Sequence, residues 1–468
     1  MVSNGPLPTA PLSHRITSNL AFSSPLFNGI RELLKNPYDR DTNPDGILNL
    51  GVAENRLLHH KLESFVRSKA YLTRRQFCYG LDPAGSPRFR GLIADLINRN
   101  FSPVWPVQAD HVTVHNGTSS AIDIFAFATC DVGEGILVAA PCYGGFGIDV
   151  QMRAKAQLIP VPMTVDQMLN PAEHVRCLAQ AYTDAITNGI AVRAMIVCTP
   201  HNPLGVSYSR PLMEAILHFA SERNLHVLSD EIYALSTFNN EFKALGHSVA
   251  DVRAHEALAP HNRTVSSENH TFCSVLSLPN LADLIDPSLV HVIHGVSKDF
   301  CMNGMRVGYL VSPWNPQLIA AVRTVSNFSW NSAMTEDLMI EIFSSVQWFQ
   351  GFIDENRQAL AQAYAHAARF LVRHRIPYIP SRAGHFVWID LRQFCTANSS
   401  ATTNGHGFLA CTPEQEKVLF KRLIDHKVYV TLGQAFSAQE SGWFRLTFTL
   451  PLDDMNLGLS RLAKALGV

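Results

Sequence analysis

The most informative segment of the chain reads Val292-Ile-His-Gly-Val-Ser-Lys-Asp-Phe-Cys-Met-Asn-Gly-Met-Arg-Val-Gly308. The apolar run from Leu289 to Ile293 predicts a buried strand, and the small residues after it bring Lys298 to the strand's end. Arg306 follows eight residues later. A lysine in this position either points to solvent or, when it is buried near other cations, has a lowered pKa and can form a Schiff base. The stretch alone leaves both interpretations open.

The composition describes an ordinary globular protein. Its 468 residues allow two or three domains, and 47% of them are hydrophobic while 16% are charged. The formal net charge of −1 gives no electrostatic reason to expect nucleic acid or an acidic membrane as a partner. The nine cysteines include no Cys-x-x-Cys pair, the N-terminus does not read as a signal peptide, and no apolar run is long enough to span a bilayer. We therefore expect a reducing, cytoplasmic location.

Apolar runs of strand length alternate with helix-length segments through the middle of the chain. Continuous apolar strands of this kind predict an α/β fold, with a mostly parallel sheet covered by helices on both faces. In such sheets, ligands bind at the carboxyl ends of the strands. Polar stretches at residues 246–272 and 396–407 predict solvent-exposed loops. The predicted strands are Val112–Val114, Gly135–Ala139, Ala194–Cys198, His226–Leu228, Leu289–Ile293 and Val307–Val311.

The chain divides into three predicted regions. Residues 1–70 are expected to form an N-terminal arm and part of a small domain, and residues 71–330 a large domain. Residues 331–468 complete the smaller α/β domain, in which Gly384–Leu391 and Trp443–Phe448 predict antiparallel strands.

A candidate phosphate site follows the first predicted strand of the large domain. Gly117, Thr118 and Ser119 come directly after that strand and open a helix. The free N–H groups and the positive dipole at a helix N-terminus, together with small hydroxyl residues, bind phosphate well. The same residues also serve as ordinary helix caps, so the motif is weak by itself.

Two further strand ends carry polar side chains. Asn202 lies in an Asn-Pro turn, where the following proline favours an extended backbone, and Asp230 closes the strand that begins at His226, with Tyr233 three residues on. The turn could be purely structural. The Asp230 carboxylate could ligate a metal, act as a base or keep a heterocyclic nitrogen protonated.

These residues make sense as one constellation. Lys298 would supply an imine and Asp230 would protonate a ring nitrogen, while Asn202 and Tyr233 would reach a phenolic oxygen. Thr118, Ser119 and Arg306 would hold a phosphate. The cofactor that fits all of these roles is pyridoxal phosphate, acting as an electron sink.

The chain resembles the fold-type I, class I/II aminotransferase superfamily over roughly residues 40 to 460, and within it the branch of 1-aminocyclopropane-1-carboxylate (ACC) synthases and fungal ACC-synthase-like enzymes. The resemblance implies that Tyr143 stacks on the pyridine ring, that Ser297 contacts the cofactor, that Arg445 pairs with the substrate α-carboxylate and that the protein is a homodimer. The matching motifs are Asn43-Pro-Asp-Gly46, Leu50-Gly-Val-Ala-Glu-Asn55, Asn116-Gly-Thr-Ser-Ser120, Pro141-Cys-Tyr-Gly-Gly-Phe146, Pro200-His-Asn-Pro-Leu-Gly205, Ser229-Asp-Glu-Ile-Tyr233, Ser297-Lys-Asp299, Gly304-Met-Arg-Val-Gly308 and Gly384-His-Phe-Val-Trp-Ile-Asp-Leu391.

The departures from the family pattern bear on the reaction. Gly295 replaces a phosphate-binding serine, so we expect Arg306 and the helix start to carry more of the anchoring. We also expect Gly295→Ser to be tolerated or to tighten cofactor retention. The segment Phe77–Gly85 differs from the ACC-synthase pattern, although its Tyr79 resembles the tyrosine that reaches the neighbouring subunit's cofactor. Glu54 matches the residue beside the substrate sulfonium; its alternative role is to bind Arg56, which replaces a glutamine.

We expect a lyase or γ-substituting enzyme that acts on a sulfur-containing α-amino acid, in secondary metabolism. Such an enzyme starts with Lys298 removing the α-proton, after which a sulfur leaving group is eliminated. An aminotransferase is the main alternative, because without a leaving group the same start leads to transamination. A pyridoxal-phosphate-binding regulator is a remote third possibility, since the chain has neither an obvious helix-turn-helix nor a basic excess.

Overall fold

The computed structural model describes residues 11–69, 74–238, 272–395 and 411–468. Its strands are β1 (Leu48–Asn49), β2 (Val112–His115), β3 (Gly135–Ala140), β4 (Gln157–Pro162), β5 (Val192–Cys198), β6 (His226–Asp230), β7 (Val290–Gly295), β8 (Gly308–Val311), β9 (Tyr378–Ile379), β10 (Phe386–Asp390), β11 (Val428–Tyr429), β12 (Thr431–Leu432) and β13 (Trp443–Thr447).

The helices cover both faces of the sheets. They are α1 (His14–Thr17), α2 (Pro25–Leu34), α3 (His59–Arg67), α4 (Pro87–Asn100), α5 (Thr118–Thr129), α6 (Phe146–Gln151), α7 (Val165–Leu169), α8 (Pro171–Thr187), α9 (Arg210–Ser221), α10 (Leu281–Leu284), α11 (Pro316–Val325), α12 (Ala333–Ser344), α13 (Val346–Arg373), α14 (Pro413–Asp425) and α15 (Leu452–Leu466).

Several helix starts are encoded by a polar cap followed by proline. The cap side chain accepts a hydrogen bond from a free N–H of the first turn, and proline at the first helical position loses no bond because that N–H has no partner within the helix. The clearest pairs are Ser24-Pro25, Ser86-Pro87, Asn170-Pro171, Asn315-Pro316 and Thr412-Pro413.

Within the described residues the large sheet has seven strands, in the order β2-β8-β7-β6-β5-β3-β4. Only β8 runs antiparallel to its neighbours β2 and β7. Strands β2, β3, β7 and β8 are buried along their whole length, which explains their continuous apolar sequence. The α/β prediction and all six predicted strands are confirmed.

The edge strand β4 was not predicted from the sequence. It contains Pro160 and Pro162 and is half exposed. Proline cannot donate to a β-ladder and is tolerated only at an edge, and β4 is indeed the outermost strand next to β3.

The second sheet lies later in the chain. Its order is β12-β13-β10-β9 and its pairs are antiparallel, with Trp388 opposite Arg445. Strands β10 and β13 confirm the two predicted antiparallel strands. The short β1 pairs in parallel with β11, joining the N-terminal region to the C-terminal one.

The predicted domain boundaries at residues 70 and 330 stay a prediction. Residues 246–271 of one predicted loop, and all of 396–407, lie outside the described residues. Among the helices that the structure describes, none is both long and apolar enough to cross a membrane.

Candidate active site

Lys298 lies three residues beyond the end of β7 and lines a cavity of about 230 Å³. Its Nζ donates to the carbonyl oxygen of Ala53 (2.5 Å), and the Asn303 amide, with its oxygen turned toward Nζ, accepts a second bond of 3.1 Å. Burial lowers the pKa of Lys298 to about 7, assisted by the cations Arg445 and Arg306. The solvent-facing interpretation is therefore wrong, because the amine points into the cavity and is available as a free base near neutral pH.

The predicted phosphate end lies where α5 begins. Gly117 caps this helix with a φ of 108°, and a side chain there would collide with the Arg306 guanidinium. Thr118 and Ser119 line the cavity beside that guanidinium. Arg306 has a left-handed backbone (φ 53°) and donates from Nη1 to the carbonyl oxygen of Asn303 (2.9 Å). A helix N-terminus, two hydroxyls and an arginine thus meet at one point, which suits an anion.

Gly295 leaves no room for the hydroxyl that the family pattern places there. It pairs with Gly308 across β7 and β8, and a Cβ on Gly295 would lie 2.6 Å from the carbonyl oxygen of Val307 and 3.3 Å from Cγ2 of Thr118. These contacts argue against our expectation that Gly295→Ser is tolerated, which stays a prediction to be tested. The two opposed glycines let the start of α5 approach the sheet closely.

Asp230 sits at the carboxyl end of β6 and is buried. Burial raises the pKa of its carboxyl to about 7, against the lowering effect of the Ile232 N–H, the Cys198 thiol and the Lys298 cation. The Ile232 N–H donates to Oδ1 at 3.2 Å, and Cys198 is its register partner on β5. A buried carboxylate of this kind is stabilised by a protonated nitrogen beside it.

Arg445, on β13, is almost fully buried and approaches the cavity from the second sheet. Nη1 donates to Oδ1 of Asn202 (2.8 Å) and Nη2 to the carbonyl oxygen of Gly51 (2.6 Å). The rings of Phe386 and Phe436 lie 4.8 and 4.7 Å from its guanidinium carbon. Among the described residues its buried Nε has no partner. The side chain is therefore held in one orientation with a donor still to be satisfied.

The remaining predicted cavity residues converge on the same space. Asn202 turns its oxygen to Arg445, which leaves its NH₂ group as a donor. Tyr233 is buried with its ring edge-on to Phe386 (5.3 Å, 89°), and Tyr143 packs edge-on against Phe146 (5.3 Å, 89°). Ser297 also lines the cavity.

Glu54 and Tyr79 do not line the cavity. Glu54 is exposed next to Ala53, close enough to Lys298 to raise the pKa of the lysine. Its carboxylate makes no ion pair with any described residue, and Arg56 instead faces Asp454 at 3.8 Å, so the structure does not support the Glu54–Arg56 alternative. Tyr79 is 92% exposed and stacks on Trp330 (5.8 Å, 18°).

One wall of the cavity was not predicted from the sequence. Leu26 and Ile30 of α2, together with Val52, line the same cavity as Lys298 with apolar side chains. Residues 1–70 were expected to form an N-terminal arm and part of a small domain, with no role at the cavity for α2. The Ser24-Pro25 helix start and the four-residue spacing of Leu26 and Ile30 were the available signal for an amphipathic helix.

Comparison with known proteins agrees with this geometry. The profile of a family described as aminotransferase class I and II matches residues 45–462. The chain belongs to this family. Over 461 residues it is 27% identical to 1-aminocyclopropane-1-carboxylate synthase of Nicotiana tabacum, covering 96% of this chain and 85% of that protein. Over 446 residues it is 29% identical to 1-aminocyclopropane-1-carboxylate synthase-like protein 1 of Bos taurus, covering 94% and 80%.

Solved structures of aminotransferases share the fold. A single mutant of Thermus thermophilus aspartate aminotransferase matches with a TM-score of 0.71 at 20% identity, over 98% of this chain and 100% of that one. The aromatic aminotransferase of Pyrococcus horikoshii OT3 matches with a TM-score of 0.68 at 18% identity, over 90% and 96%. The predicted fold-type I architecture is confirmed.

Enzymes of the aminotransferase class I and II family depend on pyridoxal phosphate. The cavity residues fit this cofactor. A phosphate needs cations and N–H or O–H donors, an aldehyde needs an amine that is unprotonated near neutral pH, and a pyridine nitrogen needs an acid. Arg306 with the start of α5, Lys298 and Asp230 meet these needs in one cavity.

Proposed function

We propose that this chain is a pyridoxal-phosphate-dependent lyase or γ-substituting enzyme that acts on a sulfur-containing α-amino acid, in secondary metabolism. The carrying observation is the charge distribution around the cavity. Among the described residues, three basic side chains line it: Lys298, Arg306 and Arg445. Outside it, the exposed Glu54 adds an unpaired carboxylate.

Each of these three side chains has a proposed role, so none remains to bind a second carboxylate on the substrate. Arg306 is assigned to the cofactor phosphate, Lys298 to the chemistry and Arg445 to the α-carboxylate. The side chain of the substrate then faces the apolar surface of Leu26 and Ile30. A neutral side chain such as a thioether suits this surface better than the second carboxylate of a dicarboxylic amino acid, because an unpaired charge is costly against apolar surface. A cationic sulfonium would instead need a carboxylate nearby, and Glu54 is the candidate.

Arg445 starts the proposed reaction by binding the substrate α-carboxylate with its guanidinium fork. The amide of Asn202 and the rings of Phe386 and Phe436 hold the fork, so the α-carbon is presented in one orientation. Lys298 Nζ then takes the α-proton, which its lowered pKa permits near pH 7. Pyridoxal phosphate, when bound, supplies the electron sink for the charge left at the α-carbon.

Asp230 has an electrostatic role in this proposal. Its carboxylate would keep the ring nitrogen of the cofactor protonated, and the NH₂ of Asn202 and the hydroxyl of Tyr233 would donate to the phenolic oxygen. Asp230→Asn should reduce turnover about 100-fold, a loss typical for a preorganised electrostatic partner. Turnover within about threefold of wild type would remove Asp230 from this role.

Transamination is the second candidate, and the family name and the shared fold support it. The relatives also divide: some are named ACC synthases, and another is named probable inactive ACC synthase-like protein 2, of Mus musculus. The two reactions differ in whether a side-chain group leaves. Incubating the holoenzyme with S-adenosylmethionine and a panel of amino acids, with mass analysis of the products, separates them. A 2-oxo acid with an intact side chain as the sole product would favour transamination.

Glu54 provides the sharper test. Glu54→Gln should abolish elimination product while the half-reaction that releases a 2-oxo acid from an unactivated amino acid survives. Glu32→Gln changes a partly exposed carboxylate of α2 that pairs with Lys35, and as the matched control it should change neither reaction. Equal losses of both reactions in Glu54→Gln would give Glu54 a structural role instead.

We also infer a homodimer in which Tyr79 reaches the partner's site. The side chains of Phe77, Tyr79, Leu81 and Phe328 are 79%, 92%, 79% and 82% exposed, which is unusual for large apolar residues. Mixing subunits of Lys298→Ala with subunits of Tyr79→Ala should restore roughly a quarter of the sites if Tyr79 acts across the interface. Tyr79 acting within its own chain predicts no restoration.

The nine cysteines are all free. This state fits the proposed reducing, cytoplasmic location, which cell fractionation would test directly.

A further inference from the structure

A fully buried hydrogen-bond network lies directly behind Lys298, centred on Asp299. The Asp299 carboxylate has no exposed surface and accepts three hydrogen bonds. Its Oδ2 accepts from the Leu235 N–H (2.8 Å) and from Nε2 of His294 (2.8 Å), and its Oδ1 accepts from the Ser236 hydroxyl (2.5 Å). Among the described residues, no lysine or arginine pairs with it. Its charge is therefore compensated by these donors.

The hydrogens of the network all point toward Asp299. Because Ser236 gives its one hydrogen to Asp299, its oxygen must accept from Nε2 of His385 (3.4 Å). His294 uses Nε2 toward Asp299, so its Nδ1 faces the hydroxyl of Tyr309 (2.6 Å). These residues are all completely buried, and they link β7, β8, the turn after β6 and the start of β10.

The backbone of Asp299 extends the network to a further wall of the cavity. Its carbonyl oxygen accepts from Nδ2 of Asn356 (3.3 Å), whose Oδ1 accepts from Nδ2 of Asn55 (2.8 Å). Asn55 lies two residues after Ala53, the carbonyl of which binds the Lys298 amine. Asn55 and Asn356 are also completely buried.

The network therefore reaches the residues that shape the cavity without lining it. Leu235 and Ser236 belong to the turn that carries Tyr233, and the ring of His385 meets Tyr233 edge-on (5.3 Å, 87°). The next residue, Phe386, packs on Arg445. Asp299 thus connects Lys298 to the turn that carries Tyr233 and to the loop that contains Ala53. Through His385 it also connects Lys298 to Phe386, which packs on Arg445.

We propose that Asp299 is a positioning residue that sets the place of Lys298 relative to Tyr233 and to the Arg445 wall. The inference rests on the proposed function for the roles of those three residues. Removing the carboxylate leaves three buried donors without an acceptor, which favours movement of the turns that carry them. A displacement of about 1 Å at a reacting group is enough to cost roughly 100-fold in rate.

The test compares two substitutions of Asp299 in the holoenzyme. Asp299→Ala should accelerate hydrogen exchange of the Leu235 amide about 10- to 100-fold and lower kcat about 100-fold with KM little changed. It should also move the pH midpoint of the cofactor's visible absorbance by about half a unit or more, since that midpoint depends on the surroundings of Lys298. Asp299→Asn should stay within about tenfold of wild type on each measure. Its amide oxygen can serve Leu235 and His294 while Ser236 turns its hydroxyl to His385.

Asp390 provides the matched control. It is a buried carboxylate at the other end of β10 that pairs with Arg392 (2.6 Å) and does not line the cavity. Asp390→Ala should lower the melting temperature as Asp299→Ala does, yet leave the absorbance midpoint and the exchange of Leu235 unchanged. If both alanine variants shift these two measures equally, or if neither shifts them, Asp299 is merely structural and the proposal fails.

Ser236→Ala keeps the test decisive if Asp299→Ala does not fold. It removes one oxygen and cuts the link to His385, so it should shift the absorbance midpoint in the same direction by a smaller amount. An unchanged midpoint in a folded Ser236→Ala protein would also overturn the proposal. The exchange and absorbance measurements use no substrate, so an error in the proposed reaction class would appear only in the product analysis.

Discussion

Two arginines line the same cavity, and the protein holds them in different ways. Arg306 lies on an exposed turn, has a left-handed backbone and donates to the Asn303 carbonyl of its own turn. Arg445 lies on a buried strand between Phe386 and Phe436, with both terminal nitrogens already engaged.

For the roles proposed above, the difference implies two kinds of anion recognition. At the Arg306 end, the start of α5 and two hydroxyls share the work, so charge matters more than the exact position of one side chain. At the Arg445 end, the guanidinium is pre-oriented and its buried Nε still lacks a partner among the described residues. We therefore expect the Arg445 end to be strict in geometry and the Arg306 end to be more tolerant.

Arg445→Lys should have the largest effect. An ammonium cannot reproduce the planar fork, and the bonds to Asn202 and Gly51 would be lost with it. We expect kcat/KM to fall about 1000-fold for every amino acid substrate, while cofactor affinity stays near that of wild type. Steady-state kinetics and an absorbance titration with pyridoxal phosphate measure the two quantities. A loss of less than about tenfold would contradict the strict geometry.

Arg306→Ala should affect the other end of the cavity and by less. The Kd for pyridoxal phosphate should rise about 100-fold, because one charge-assisted interaction is lost while the helix start, Thr118 and Ser119 remain. Equilibrium dialysis measures this, with Arg461→Ala on a distant helix as the control. A Kd that rises as steeply in Thr118→Ala as in Arg306→Ala would show that the hydroxyl, rather than the charge, dominates.

The pH dependence of cofactor capture should distinguish the effects of the two arginines on the pKa of Lys298. The pKa of Lys298 is lowered to about 7, so the free amine predominates above that pH and falls about tenfold per pH unit below it. The capture rate of the apoenzyme should follow the same curve. Removing a neighbouring cation raises the pKa of Lys298 and moves the curve to higher pH. Arg445→Met should move it further than Arg306→Ala, since Arg445 is the stronger of the two effects.

Gly295→Ser should have the smallest of these effects and still weaken the cofactor end. The added Cβ would press on the Val307 carbonyl and on Thr118, displacing the start of α5. We expect the Kd for pyridoxal phosphate to rise about three- to tenfold, which matches a modest overpacking cost. Tighter binding would mean that the start of α5 can move to accept the hydroxyl. Gly304→Ser, where a Cβ meets no atom within 4 Å, is the control.

Much of this protein follows from local sequence. Apolar runs of strand length, separated by helix-length segments, predict the α/β fold because a strand buried on both faces needs a continuous apolar sequence. The same logic places Lys298, Asp230, Asn202 and Thr118 at strand ends, and parallel strands bring those ends to one edge. The structure places all four on one cavity, although their roles remain proposals.

Which residues surround that edge of the sheet depends on tertiary contacts that the local sequence does not reveal. Four features of the site depend on residues that are far apart in the chain. They are the wall formed by Leu26, the pairing of Arg445 with Asn202, the exposed position of Tyr79 and the network around Asp299. The lack of space for a side chain at Gly295 likewise depends on how closely α5 packs on the sheet. Sequence periodicity reports which face of an element is buried. It does not report which distant side chain packs against that face, because packing and hydrogen bonding select that partner only when the whole chain has folded.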